Sequence, residues 1–335
     1  MDIREIARRA KVSHSTVSRV INKVSTVDPK LVRRVQAVIK EVGYRPNYQA
    51  QALARGRSHT IGLIVSEISG GNPFFAEIIL YFERAAVEAG YEVLISFADT
   101  ETDPNHVAIC VDRMMERQVE GVAILTFGME QGVHPAKGVA LPMVYAGADH
   151  TMDGIRNIRI NYLSGMRDAV KHLADFGHTR IGYLTGQLQL SSMRMRYDAL
   201  RKAVKLAGVL WDKDTIAECD HTLEGGAHGM ARLLSSPNPP TAVLCCNDMA
   251  AIGALKTLSA RGLRAGKDIS LIGFDDLPLC LFTQPSLTTI RFSPRELATL
   301  AFHRLMDEIQ DKKTATDYTY KTEFILREST GAPRK

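Results

Sequence analysis

Nowhere in these 335 residues does an apolar run approach the ~18–20 residues that a membrane-spanning helix requires. The first twenty residues are charged and amphipathic, without an apolar core or a small-residue cleavage site, so no secretory signal is expected and the expected compartment is the cytoplasm. Cysteines are few. Cys110, Cys219, Cys245, Cys246 and Cys280 are odd in number and lack metal-ligand spacing, which reads as small buried hydrophobes in a reducing environment, with no metal site. Also missing are GxSxG, HExxH, a P-loop and the Rossmann glycine fingerprint; histidines in the body are scattered. No catalysis and no cofactor are therefore expected.

Charge is present but unevenly placed. Residues 1–57 carry 13 Lys+Arg and 4 Asp+Glu, a net of +9; the whole chain is +5, so residues 58–335 are net −4. A basic head on a mildly acidic body calls for a polyanionic partner of the head alone. Charge by itself leaves DNA, RNA and a membrane surface open.

The head reads as three short helices. Asp2 and Glu5 make a capping-box-like start, and Ile3, Ile6, Ala7 and Ala10 follow at helical spacing. Lys11-Val12 forms a turn, and Ser13 is a good N-cap for a second helix with Val17, Val20 and Ile21 on its buried stripe. Polar His14, Ser15, Ser18, Arg19 and Asn22 lie largely opposite that stripe. Asp28-Pro29 announces a third helix, whose apolar face is Leu31, Val32, Val35, Val38, Ile39 and Val42, and Gly43 ends it. In a helix-turn-helix unit the second helix enters the major groove. There His14, Ser15 and Thr16 stand at its start. Arg19, one turn on, has the reach for guanine O6 and N7, and Ser13, Ser18 and Asn22 suit phosphates. The pattern alone also fits a small bundle with a solvated polar face.

The segment IREIARRAKVSHSTVSRVIN at 3–22 resembles the opening of the lactose/purine-repressor family, above all VSxxTVSRVIN at 12–22. Similarity continues through Gly43-Tyr44-Arg45-Pro46-Asn47 and TIGLIV at 60–65, and resumes in patches to REST at 327–330. The resemblance implies a helix-turn-helix DNA-binding domain at 1–46 and a hinge at 47–57. Behind these comes a periplasmic-binding-protein-like body of two doubly wound α/β lobes, which also dimerises, at 58–335. Its first lobe takes in about 60–160 and 292–322, its second about 161–290 and 323–335. In such a hinge a helix forms on DNA and a leucine wedges into the minor groove; Leu53 matches it, with Asn47, Ala50 and Arg55 as further DNA contacts. Gln51 departs from the arginine usual there. Composition alone reads 47–57 as a linker too short to hold a helix unaided.

Beyond residue 58, short apolar runs alternate with amphipathic stretches, the pattern of parallel α/β units. Strands are expected at 60–67, 91–98, 121–126 and 143–147, then at 180–185, 216–219, 242–246 and 270–274. Helices are expected at 74–89, 105–118, 163–176, 194–207, 223–235 and 249–261. Ligands of open α/β sheets bind beyond the carboxyl ends of strands. The residues there are Phe74 and Phe75, Ser191, Ser192 and Arg196, Asp220 and His221, Asn247-Asp248, and Asp275-Asp276. Aromatic faces, one cation, carboxylates and an amide suit a small polar ligand, a sugar first and a purine-like or other metabolite second. The candidate effector residues are Phe74, Phe75, Ser192, Arg196, His221, Asn247 and Asp275. Phe74 or Phe75 can equally be core, Asn247 a helix cap, and Asp248 is read mainly as a cap. The resemblance supports Arg196 and Asp275, in RYDAL and IGFDD, as effector contacts. The chain is thus expected to be a homodimeric transcription regulator of repressor type on a pseudo-palindromic operator. Whether its ligand releases or recruits DNA depends on which lobe arrangement that ligand favours.

Overall fold

The computed structural model describes residues 3–21, 25–44, 57–66, 72–99, 103, 105–128, 141–147, 155–209, 211–312 and 317–334. Two compact units make it up, Met1–Ser58 and His59–Lys335.

In the first unit, α1 (Ile3–Arg9), α2 (His14–Ile21) and α3 (Pro29–Val42) enclose Ile6, Ala7, Ala10, Val17, Val20 and Val35. Their ends follow local chemistry. Ser13 Oγ accepts from the Thr16 amide at 3.1 Å, closing the start of α2. Asp28 accepts from the Lys30 amide at 2.7 Å, with Pro29 in the first helical turn. Gly43, at φ +61, sits in the left-handed conformation that ends α3. The α1–α2 turn uses Lys11 at φ +48, a conformation costly for a side-chain-bearing residue; Arg34 Nη2 braces it by donating to the Lys11 carbonyl at 3.0 Å. Asp2, Asn22 and residues 45–56, including Asn47, Ala50, Gln51, Leu53 and Arg55, lie outside the described residues.

The second unit holds two six-stranded sheets. The first has the order β11-β5-β4-β3-β1-β2, from β1 (Thr60–Ser66), β2 (Glu92–Ala98), β3 (Val122–Leu125), β4 (Met143–Ala146), β5 (Arg156–Asn161) and β11 (Tyr318–Lys321), all parallel. The second has the order β12-β10-β9-β8-β6-β7, from β6 (Ile181–Thr185), β7 (Ile216–Glu218), β8 (Ala242–Cys245), β9 (Ser270–Asp275), β10 (Thr288–Arg291) and β12 (Glu323–Ile325). Among the described strands only β12 runs antiparallel, beside β10. Helices α4 (Pro73–Glu88), α5 (His106–Glu116) and α10 (Pro294–Ile309) pack on the first sheet; α6 (Tyr162–Asp175), α7 (Ser191–Leu206), α8 (Leu223–Leu234) and α9 (Asp248–Ala260) serve the second. Central strands are buried on both faces, β1, β3, β4, β6, β8 and β9 nearly throughout, as parallel sheets flanked by helices must be.

The chain passes between sheets three times: from β5 into α6, from β10 into α10, and from β11 into β12. Four strands, β5, β10, β11 and β12, and the helix α10 were not among the sequence expectations. RNIRIN and YTYK carry charges and amides inside the run, and TTIR and EFI hold only one and two apolar residues, so neither periodicity nor an apolar run marks them. One helix start is also corrected. α7 begins at Ser191 rather than near 194, so Ser191 and Ser192 occupy its first turn and not a loop.

Among the described residues no helix is long and apolar enough to cross a membrane, and no group of three or more His, Cys, Asp or Glu is placed to hold a metal. All five cysteines are free and buried.

Candidate functional site

Two surfaces concentrate polar chemistry, one in each unit. On the head it is the outer face of α2. Val17 and Val20 hold that helix onto α1 and α3, which turns Ser13, His14, Ser15 and Arg19 to solvent, with Thr16 and Ser18 half-buried. The Ser13 hydroxyl lies 2.8 Å from both the Ser15 and Thr16 hydroxyls, so the start of α2 presents a small array of exchangeable donors. On α1, the Arg8 and Arg9 guanidiniums beside half-buried Glu5 hold its carboxyl down at about 2. A solvated, basic, hydrogen-bonding helix face with little apolar area is shaped to meet phosphates and base edges.

In the body the expected residues converge at the carboxyl ends of the second sheet, around Arg196. Its side chain, projecting from α7, is buried. Nη1 donates to the Cys246 carbonyl, and Nη2 donates to Asp275 Oδ1 at 3.1 Å. The guanidinium carbon stands 3.9 Å from the Phe274 ring centroid and 5.6 Å from that of Tyr162, so the cation lies over π faces while remaining paired. Its Nε is buried with no partner among the described residues. Burial pushes the Asp275 carboxyl up to about 7 against the pull of Arg196. Asp275 and Asp276, at φ +114 and +62, both adopt left-handed backbone, a strained pair at the end of β9.

Around this pair each expected residue takes its place. Asn247 caps α9, accepting from the Ala250 amide at 2.8 Å, while its Nδ2 donates to the His221 carbonyl at 2.8 Å. Both ends of that amide are engaged within the chain, so it fixes the His221 loop. Buried Asp248 accepts from Thr289 Oγ1 at 2.6 Å and the Leu277 amide at 2.8 Å; burial pushes its carboxyl up to about 6. Ser192 Oγ donates to the Phe127 carbonyl and Ser191 Oγ to the Gly128 carbonyl, each at 2.7 Å. These two bonds cross the cleft, joining the first turn of α7 to the end of β3. Phe74 is buried in an aromatic cluster with Phe127 and Phe292, while Phe75 is half-buried at its edge. His221 is half-buried, its carbonyl held by Asn247.

The sequence reading missed Phe127, Tyr162 and Phe292; Asp276 was named beside Asp275 but not counted among the effector residues. Phe127 lies just past β3, at a strand end that the same carboxyl-end rule covers. Phe292 follows β10, whose TTIR holds a single apolar residue and so does not read as a buried strand. Such an arrangement can bind and orient. It offers a buried cation, a carboxylate of near-neutral titration and aromatic walls, but no nucleophile paired to a base.

A family model described as bacterial regulatory proteins, lacI family, matches residues 2–47, and one described as a periplasmic binding protein-like domain matches residues 170–330. The HTH-type transcriptional repressor CytR of Escherichia coli (strain K12) is 33% identical over 333 residues, covering 98% of this chain and 96% of that protein. The ribose operon repressor of the same organism is 34% identical over 315 residues, 92% of each. Among solved structures, the lac repressor dimer bound to operator and the anti-inducer ONPF is similar at a TM-score of 0.88 and 27% identity, over 99% of both chains. The transcriptional regulator CelR–cellobiose complex is similar at a TM-score of 0.69 and 26% identity, over 98% of this chain and 99% of that one.

Proposed function

Because the chain belongs to the lacI family of bacterial regulatory proteins, we propose that it represses transcription as a dimer on a pseudo-palindromic operator and is switched by a sugar or sugar derivative in the cleft of its body. The observation that carries the sensor half is the buried Arg196–Asp275 pair over Phe274, at the strand ends where open sheets take ligands. A guanidinium and a carboxylate at hydrogen-bonding distance can bracket vicinal hydroxyls. Phe75, Arg196, His221 and Asp275 are the contacts; Phe74, Ser192 and Asn247 shape the cavity that holds them. Phe74, Phe127 and Phe292 pack on one another, Phe74 and Phe292 stacked at 5.2 Å, so the aromatic face offered to a ligand is that of half-buried Phe75.

Residues 1–46 read the operator, with His14, Ser15, Thr16 and Arg19 at base edges and Ser13, Ser18 and Asn22 on the backbone. Residues 47–57 are the hinge, where Leu53 wedges the minor groove beside Asn47, Ala50 and Arg55. Residues 58–335 sense and dimerise. The protein is a cytoplasmic regulator and performs no catalysis. The test is a gel-shift titration on DNA flanking its own gene, with and without a panel of pentoses, hexoses and disaccharides. A discrete shifted band that no sugar alters would overturn the sensor half, and no preference over random DNA the operator half.

Two substitutions sharpen this. Arg19→Ala should reduce discrimination between operator and random DNA by ~1–3 kcal/mol per half-site, because a bidentate guanine contact is lost. An unchanged ratio in competition gel shifts would remove Arg19 from the base-reading set. For the cleft, the sign of the pH dependence follows from Asp275. Its carboxyl is raised to about 7, and hydroxyl donors of a sugar favour the ionised form. Sugar affinity should therefore strengthen several-fold between about pH 6 and about pH 8, and Asp275→Asn should flatten the profile. Calorimetric titrations giving equal affinity at the two pH values would contradict the assignment.

A further inference from the structure

Two of the three passages between the sheets end on one carboxylate that the effector contacts do not use. β10 leaves the second sheet at Arg291, whose Nε donates to Asp276 Oδ2 at 2.7 Å. The third passage returns through β12, and two residues beyond it Arg327 Nη2 donates to Asp276 Oδ1 at 2.5 Å. Each oxygen of Asp276 thus holds a different crossing segment. Arg327 is itself anchored, with Nη1 donating to the Leu287 carbonyl at 2.8 Å and its amide to Thr288 Oγ1 at 3.0 Å. The Asp276 and Arg327 side chains are only 10% and 13% exposed, so theirs is a charge-assisted bond shielded from water, while the Arg291 side chain on the other oxygen is half-exposed.

Asp276 is also the next residue after Asp275. Both have left-handed backbone, and the Asp275 carbonyl accepts from the Phe292 amide at 3.3 Å, one residue past Arg291. The two side chains point to different partners: Asp275 to Arg196 in the cleft, Asp276 to the crossing strands. A pair of consecutive left-handed residues has few alternative torsions. Displacing Asp275 therefore carries Asp276 with it, and with Asp276 the two segments about which the lobes would rotate.

We propose that Asp276 is the positioning residue that couples the effector contact at Asp275 to the angle between the lobes, by clamping Arg291 and Arg327. This rests on the reading of the cleft as the effector site. The physical basis is a continuous set of bonds from α7 through Arg196, Asp275 and Asp276 to β10 and β12. A ligand that draws Asp275 from Arg196 shifts the clamp, and the lobe equilibrium with it.

Hydrogen exchange on the full chain tests the clamp without any ligand. Asp276→Asn removes the charge but keeps the size and tolerates left-handed backbone. Amides of 288–292 and 322–328 should exchange about ten-fold faster in it, because both segments lose a charge-assisted bond. Arg196→Ala, which frees Asp275 at the effector end, should accelerate the same segments beyond its general effect on the strands of the first sheet in the wild-type background, and show no such excess in the Asp276→Asn background. Arg291→Gln, at a half-exposed position, should accelerate 288–292 and keep the test available if Asp276→Asn does not fold. The proposal is overturned if Arg196→Ala gives both segments no excess over the first sheet, if the excess is equal in both backgrounds, or if Arg291→Gln changes nothing. No sugar is added, so a failed effector screen would count against the sensor reading and not against this one.

Discussion

Arg196→Ala should lower the unfolding free energy of the body by roughly 3–5 kcal/mol and abolish the response to sugar while leaving operator binding by the head intact. The magnitude comes from what the substitution leaves behind. Asp275 is 2% exposed, and its only charged hydrogen-bond donor among the described residues is Arg196. A carboxylate buried without a partner is far less favourable than the original pair. The lost packing of the guanidinium over Phe274 adds a smaller amount. The sign of the pH dependence is fixed too. Burial already raises the Asp275 carboxyl, and losing Arg196 raises it further. A carboxyl raised in the folded state contributes stability at low pH and loses it as pH rises through the folded value. The deficit of the variant should therefore shrink as pH falls from about 8 to about 6. Urea unfolding of the single variant and of Arg196→Ala/Asp275→Asn provides the check. If the double variant is no more stable than the single at neutral pH, the unpaired carboxylate is not the cause.

Gly253→Ala should be the most damaging single methyl group in the body. A Cβ there would lie 1.9 Å from the Leu223 carbonyl oxygen and 3.0 Å from the Ala227 amide nitrogen, both backbone atoms of α8. Gly226 meets α9 in the same way, its Cβ position 2.1 Å from the Ala250 carbonyl oxygen. The two helices touch backbone to backbone, and no side-chain rotation can relieve the overlap. The expected cost is about 3 kcal/mol, at the upper end for overpacking. Because α8 starts beside His221 and α9 starts at Asn247, separating the helices also displaces one wall of the cleft. Sugar affinity should fall with stability. Gly90→Ala is the control: at φ +81 it is strained, yet nothing lies within 4 Å of the added carbon, so the penalty should stay near ~1–2 kcal/mol and affinity should not change. Equal melting temperatures for Gly253→Ala and the parent would refute the close approach.

Much of this molecule was legible from residue order. The caps at Ser13 and Asp28, the left-handed Gly43 and the buried stripe of α2 are local matters, settled within a turn or two of chain by hydrogen bonding and periodicity. The strands of the sheet centres were legible for a related reason. Buried on both faces, they read as short apolar runs. The strands next to the crossings did not, since β5, β11 and β12 mix polar and apolar residues and are held by neighbours far along the chain.

The site divides along the same line. Arg196 and Asp275 could be nominated because each follows a strand, but nothing in the order of residues says that the one pairs with the other across 79 positions. Nor could it say that Asn247 is tied to His221, that Ser192 grips the opposite lobe, or that Asp276 gathers two crossing segments. By itself, then, the sequence determined the elements of the head, its positive charge and the residues free to read DNA, because those properties arise within a few turns of helix. Only the tertiary structure decided which of the cleft's polar groups remain available to a ligand. Availability depends on what else a donor or acceptor has already bonded, and in the interior those partners come from distant parts of the chain.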